Sequence, residues 1–215
     1  LFRSTPPRAA DVRDLVEGTA ALVDRCRNGG GAPALLDEVA DRLSRADALL
    51  RGTPGVRALL DAPELVTALE KALADLAGSL KALDRRIEDV LADRSTAEQE
   101  AFNAVLVAVR DAAWAIGRDR LRTARAVAGL AGPSASPARV EAMTSVQMAL
   151  SALDRLEVRG RDSAGISVLV TGHGLDLDSA EVQSAIAART EDPTYGSGSV
   201  RVAEGNLSFV YKAAA

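Results

Sequence analysis

The segment "LEVRGRDSAGISV", Leu156–Val168, follows a long charged, alanine-rich stretch that reads as helix. A helix that stops before a strand needs one glycine, at Gly160. It does not need Arg159, Asp162, Ser163, Ala164 and Gly165 in close succession. Small residues in a row let another backbone approach closely, and an Arg and an Asp three apart across a tight turn can pair or bind a carboxylate. The residues therefore read as a structured turn beside a crowded site.

Upstream, the apolar spacing predicts a series of helices. Val12, Leu15, Val16, Thr19, Leu22, Val23 and Cys26 fall three or four apart, giving one amphipathic helix over 11–27 that "NGGG" at 28–31 ends. A second helix follows Pro33 with Leu36, Val39, Leu43, Ala46 and Leu50 inward, and "RGTPG" at 51–55 breaks the chain, leaving at most a short helix over 56–62. Leu69, Leu73, Leu76, Leu80, Leu83, Ile87 and Val90 form a heptad seam, which implies packing along another long helix. Ser95, three residues before Glu98, predicts a capping box opening a helix over about 96–130 with Phe102, Val105, Leu106, Val109 and Ile116 on its stripe. "GPSASP" at 132–137 is a linker to a fifth helix through Val140, Met143, Val146, Leu150, Leu153 and Leu156, ending near Arg159-Gly160.

Downstream the texture changes. "GISVLV" predicts a buried strand closed by "TGHG". Asp178, with Glu181 completing the box, is expected to cap a helix reaching about Ala188. "PTYGSGS" is a loop, and "VRVAEGNLSFVY" predicts a hairpin turning at Glu204-Gly205-Asn206.

Composition narrows the function classes. Lys and Arg number 26 against 30 Asp and Glu, a formal charge of -4 that is too mild and mixed to imply nucleic acid or an anionic membrane as a partner. No apolar run of about 18 residues and no signal-peptide pattern is present, so a cytoplasmic protein is expected. One cysteine excludes an internal disulfide and one histidine argues against a multi-ligand zinc site, so neither metal nor cofactor is expected. Cys26 lies on an apolar stripe and reads as core. His173 reads as a solvated turn residue, and Arg118, Arg122 and Arg125, on one helical face, as a solvated face before a phosphate patch. Trp114, off the main stripe, either fills a groove between helices or marks a contact surface. The chain starts at Leu1 and ends in "SFVYKAAA" with neither cap nor polar tail, so both ends are expected to be cut.

The opening segment resembles the motif Leu-Glu-Tyr-Arg-Gly-Tyr-Asp-Ser-Ala-Gly-Ile-Ala-Val of glutamine-fructose-6-phosphate aminotransferases. It matches at Leu156, Glu157, Arg159, Gly160, Asp162, Ser163, Ala164, Gly165, Ile166 and Val168. The related purine-pathway phosphoribosyl amidotransferases share the Arg-Gly and Asp-Ser-Ala-Gly core but typically carry Gln-His where Glu157-Val158 stands. The resemblance covers residues from the helix at 138 onward and implies the glutaminase domain of a class II amidotransferase. In that domain a chain-terminal cysteine attacks the glutamine side-chain amide, with its own α-amino group as base, and ammonia passes to a sugar isomerase domain. It further implies that Arg159 and Gly160 line the pocket beside that cysteine, and that Asp162, Ser163, Ala164 and Gly165 lead into the second strand of the sheet. Glutamine and a sugar phosphate would be substrates, and a homodimer is expected.

Several parts of the family pattern are absent from these residues. Leu1 is not a nucleophile, no Cys-Gly-Ile start is present, and Cys26 lacks the terminal amine. No His-Thr-Arg-Trp segment and no Asn-Gly follow the motif, and there is no sugar-phosphate domain. The expected fold class is α+β: an incomplete N-terminal-nucleophile sandwich of α/β/β/α layers with a large all-α helical-bundle insertion. Residues 1–7 would be the tail of a first strand and its exit, 8–135 the inserted bundle, and 136–215 part of the amidotransferase domain. These residues alone are expected to be inactive. The rival from another class is a non-enzymatic helical interaction protein.

Overall fold

In the computed structural model, which describes residues 5–28, 32–92, 94–157, 164–191 and 200–213, the first apolar stripe is buried on two helices, where one over 11–27 was expected. These are α1 (Ala9–Val16) and α2 (Thr19–Arg27). Between them Gly18 adopts φ +78°, a left-handed conformation that glycine enters without steric cost. The break is held from a distance. Arg42, on α3 (Ala32–Leu49), donates from Nε to the Leu15 carbonyl at 3.0 Å and from Nη2 to those of Asp14 and Glu17 at 2.8 and 2.6 Å. A guanidinium thus satisfies carbonyls that the end of α1 leaves without helical partners. Val12, Val16, Thr19, Val23 and Cys26 all stay buried, because each helix keeps its own phase.

Leu36, Val39, Leu43, Ala46 and Leu50 are buried as expected of the second stripe. "RGTPG" breaks the chain only at Leu50-Arg51. Gly52 (φ +67°) starts α4 (Gly52–Asp61), longer than the short helix expected, with Pro54 in its first turn. The heptad leucines lie on α5 (Pro63–Asp84), which stops before the seam does; Ile87 and Val90 belong to a separate short helix, α6 (Ile87–Leu91). Leu69, Leu76, Leu80 and Leu83 are buried. The partner is not one long helix, since α5 packs on α2 and α1 in succession.

Ser95 opens α7 (Thr96–Trp114) with the full capping box. Its N–H and hydroxyl donate to Glu98 Oε2, both at 2.8 Å, and its Oγ accepts the Glu98 N–H at 3.4 Å. Those bonds hold the Glu98 carboxyl below the usual carboxylate range. Because the folded-state pKa is depressed, the box stabilises at neutral pH and is lost as pH falls through that lowered value. Ser95→Ala is expected to cost about 1 kcal/mol at pH 7. The difference from wild type should narrow in acid, as urea unfolding at the two pH values will measure.

The helix expected over 96–130 is continuous but not uniform. A π-helical segment, Ala115–Leu121, separates α7 from α8 (Arg122–Ala131). α7 packs on α3, and α8 packs on α4. Trp114 is 57% exposed, so it fills no groove. α9 (Pro137–Glu157) follows the linker, with Val140 buried against Val56 and Val127.

The chain divides into two units, Leu1–Gln147 and Met148–Ala215, with the division inside α9. The second unit holds β1 (Ala164–Val170), α10 (Ala180–Glu191), β2 (Val200–Ala203) and β3 (Asn206–Ala213). The strands form an antiparallel sheet in the order β1-β3-β2. Among the described residues the chain is thus mostly helical with one small sheet, an α+β composition. The hairpin turns on two residues, Glu204 and Gly205, at φ +51° and +72°, while Asn206 already pairs with Ala203. Two positive φ values in a two-residue loop match the right-handed twist of the flanking strands.

β1 corrects the expectation of a buried strand. Its described side chains alternate, with Ile166, Val168 and Val170 half-buried and Gly165, Ser167 and Leu169 exposed. It pairs with β3 alone among the described strands. The cap of α10 is also displaced by one residue: Ser179 Oγ, not Asp178, accepts the Val182 N–H at 3.4 Å. The Asp178 N–H is instead held by Asp176 Oδ1 at 3.1 Å, and the helix runs on to Glu191. The first-strand tail at Leu1-Phe2 and the loop at 193–199 lie outside the described residues.

Candidate functional site

The segment Leu156–Val168 begins at the end of α9 and ends within β1. Leu156 and Glu157 close α9, and Ala164 and Gly165 open β1. Arg159, Gly160, Asp162 and Ser163 lie outside the described residues. β1 carries the remaining matches in register with β3: Gly165 opposite Lys212, Ile166 opposite Tyr211 and Val168 opposite Phe209. Paired residues on antiparallel strands share a face, so Ile166, Val168, Phe209, Val200 and Leu207 lie on one side of the sheet. Val200 and Leu207 are the most buried of them.

α10 packs against β2 on that side. Between helix and hairpin lies an open cavity of about 430 Å³ with Val182, Ala185, Ile186 and Phe209 among its apolar walls and Glu181 and Arg189 on its lining. The spacing of Val182, Ala185, Ile186 and Arg189 places them on one face of α10. The chemistry the cavity offers is an apolar floor with one carboxylate and one guanidinium eight residues apart.

His173 is more constrained than a solvated turn residue. Its Nδ1 accepts the Leu175 N–H at 3.0 Å, and its Nε2 lies 3.0 Å from the Gly205 carbonyl. With Nδ1 accepting, Nε2 is the ring nitrogen that can donate to the carbonyl. The ring thus ties the loop after β1 to the hairpin turn, with Gly172 and Gly174 at φ +60° and +65° on either side. "TGHG" gave its glycines as a signal, but not the partner 32 residues away.

In the first unit, Cys26 is a free, fully buried thiol, and burial pushes its pKa up. A protonated thiol inside a helical core is not a nucleophile. Of the arginines on the candidate face, Arg125 pairs with Glu70 and Arg122 is engaged, while Arg118 is exposed. No group of three or more His, Cys, Asp or Glu suited to a metal ion occurs among the described residues. No helix among them is long and apolar enough to cross a membrane.

One buried carboxylate is not evident from the sequence pattern. Asp47, its side chain 5% exposed, sits on α3 and is gripped by two arginines. Arg51 donates from Nε and Nη2 to Oδ2 at 3.0 and 2.6 Å, and Arg120 of the π-helical segment donates from Nε to Oδ1 at 2.8 Å. The available signal was Asp47 beside Ala46 on the buried stripe, with an arginine four residues on. Compared with known family models, curated proteins and solved structures, the chain matches none.

Proposed function

We propose that residues 136–215 form part of the glutaminase domain of a glutamine-dependent amidotransferase of the sugar-phosphate type, with the preceding helices as an insertion. The parent enzyme would release ammonia from glutamine for transfer to fructose 6-phosphate, giving glucosamine 6-phosphate, as a cytoplasmic homodimer. The single observation that carries this reading is the ten-position match between Leu156 and Val168. The helix α9 before the match and the strand β1, which Ala164 and Gly165 open, support it. Arg159 and Gly160 would line the glutamine pocket. The nucleophile would lie outside these 215 residues, since Cys26 is buried and has no terminal amine to act as base.

The test is the coding sequence on either side. The proposal expects an in-frame Met-Cys-Gly start shortly upstream of Leu1 and a His-Thr-Arg-Trp-like segment downstream of Ala215. A different acceptor domain downstream, such as one for a purine precursor, would keep the glutaminase and change the product. One observation favours a second reading, a helical interaction module: Trp114 and Val107, seven apart on α7, are 57% and 52% exposed. A stop codon directly after Ala215 with no upstream cysteine would select that reading.

A further inference from the structure

The π-helical segment changes which residues α8 buries. Ile116 and Leu121 are 0% and 3% exposed although five positions separate them. Five residues of α-helix turn them about 140° apart, whereas the extra residue of a π turn lets i+5 take the place that i+4 holds in an α-helix. From Leu121 the buried positions continue to Ala124, Val127 and Ala131. In an uninterrupted α-helix each of those places would be taken by the preceding residue: Arg120, Thr123, Ala126 and Leu130. The last three are small or apolar enough to fit, and Leu130 is now 41% exposed. Arg120 is the one that does not fit, because its guanidinium would enter an apolar slot. In the π register it instead reaches the buried carboxylate of Asp47.

We propose that Arg120 selects between two registers of α8. Paired with Asp47 it holds the π turn, and without its charge the segment relaxes to α-helix and α8 turns by one residue. The selection decides whether α9 is docked, because Val127 is the α8 side chain that packs with Val56 and with Val140 at the start of α9.

The test uses cysteines introduced singly as Val127→Cys and Leu130→Cys, labelled by a thiol reagent in the native chain, where Cys26 is buried. With Arg120 present, position 130 should label on the order of tenfold or more faster than position 127. Arg120→Leu should invert that order. A folded Arg120→Leu chain with the order unchanged overturns the proposal. Deleting Arg118 removes the extra residue and sets Ile116 and Leu121 four apart. The native labelling order should then persist, even with Arg120→Leu added. If Arg120→Leu alone does not fold, rescue by the deletion with the native order supports the selector role, and failure to rescue overturns it.

Discussion

Gly55→Ala is expected to destabilise the helical unit by about 3 kcal/mol, at the upper end of the usual cost of overpacking. The chain leaves α3 at Leu49 and reverses through Leu50 and Arg51 into α4, so the buried Gly55 lies against the Leu50 backbone. A Cβ there would stand 2.5 Å from the Leu50 Cα and would overlap its carbonyl group. The obstacle is main chain and cannot rotate away. Relief means opening the corner that holds Leu50 and Leu59, 1% and 2% exposed, in the core. Gly78→Ala is the control: an added Cβ on that exposed position of α5 meets nothing within 4 Å. It should stabilise by about 0.5–1 kcal/mol, the helical preference of alanine over glycine. Urea unfolding followed by circular dichroism will measure both, and equal effects would contradict the packing described for the corner.

Asp47→Ala is expected to cost about 2–3 kcal/mol, less than the cost of breaking a fully buried pair, because the two arginines left behind keep contact with water. Arg51 is 66% exposed and Arg120 23%, whereas Asp47 is 5% exposed. Removing Arg120 alone leaves the buried Oδ1 without its donor, so Arg120→Ala should be of similar size. The double variant should cost less than the sum, with a coupling of about 1 kcal/mol or more in a double-mutant cycle. Additivity would mean that the two groups stabilise the bundle separately.

Much of the helical unit was legible because its periodicity is local. The stripes through Leu36, Val39, Leu43 and Ala46 and through Leu69, Leu76 and Leu80 are buried as their spacing requires. The Ser95–Glu98 box and the hairpin turn at Glu204-Gly205 rest on two to four residues each, and both formed. The departures depend on distant partners. The break at Gly18 is secured by Arg42, 25 residues from Glu17. The π turn gains its meaning only from Asp47, 73 residues before Arg120. β1 could not be assigned an exposure from its apolar run, since such runs fit buried and half-exposed strands alike. Asp178 and Ser179 are both good caps, and it is the Ser179 hydroxyl, donating to the Asp176 carbonyl, that accepts the Val182 N–H. Of the candidate site, the sequence carried the motif and Cys26's place in the core, while the bridging role of His173 emerges only from the fold.

The measurement that bears most directly on the proposed function is ammonia release from glutamine, compared between these 215 residues alone and the protein expressed with its flanking coding sequence. The proposed function predicts no release from the 215 residues, and release from the longer protein that is lost when the upstream terminal cysteine is replaced by alanine and falls when Arg159 is replaced by alanine. Glutamine hydrolysis by the 215 residues themselves, or none by the longer protein, would contradict it.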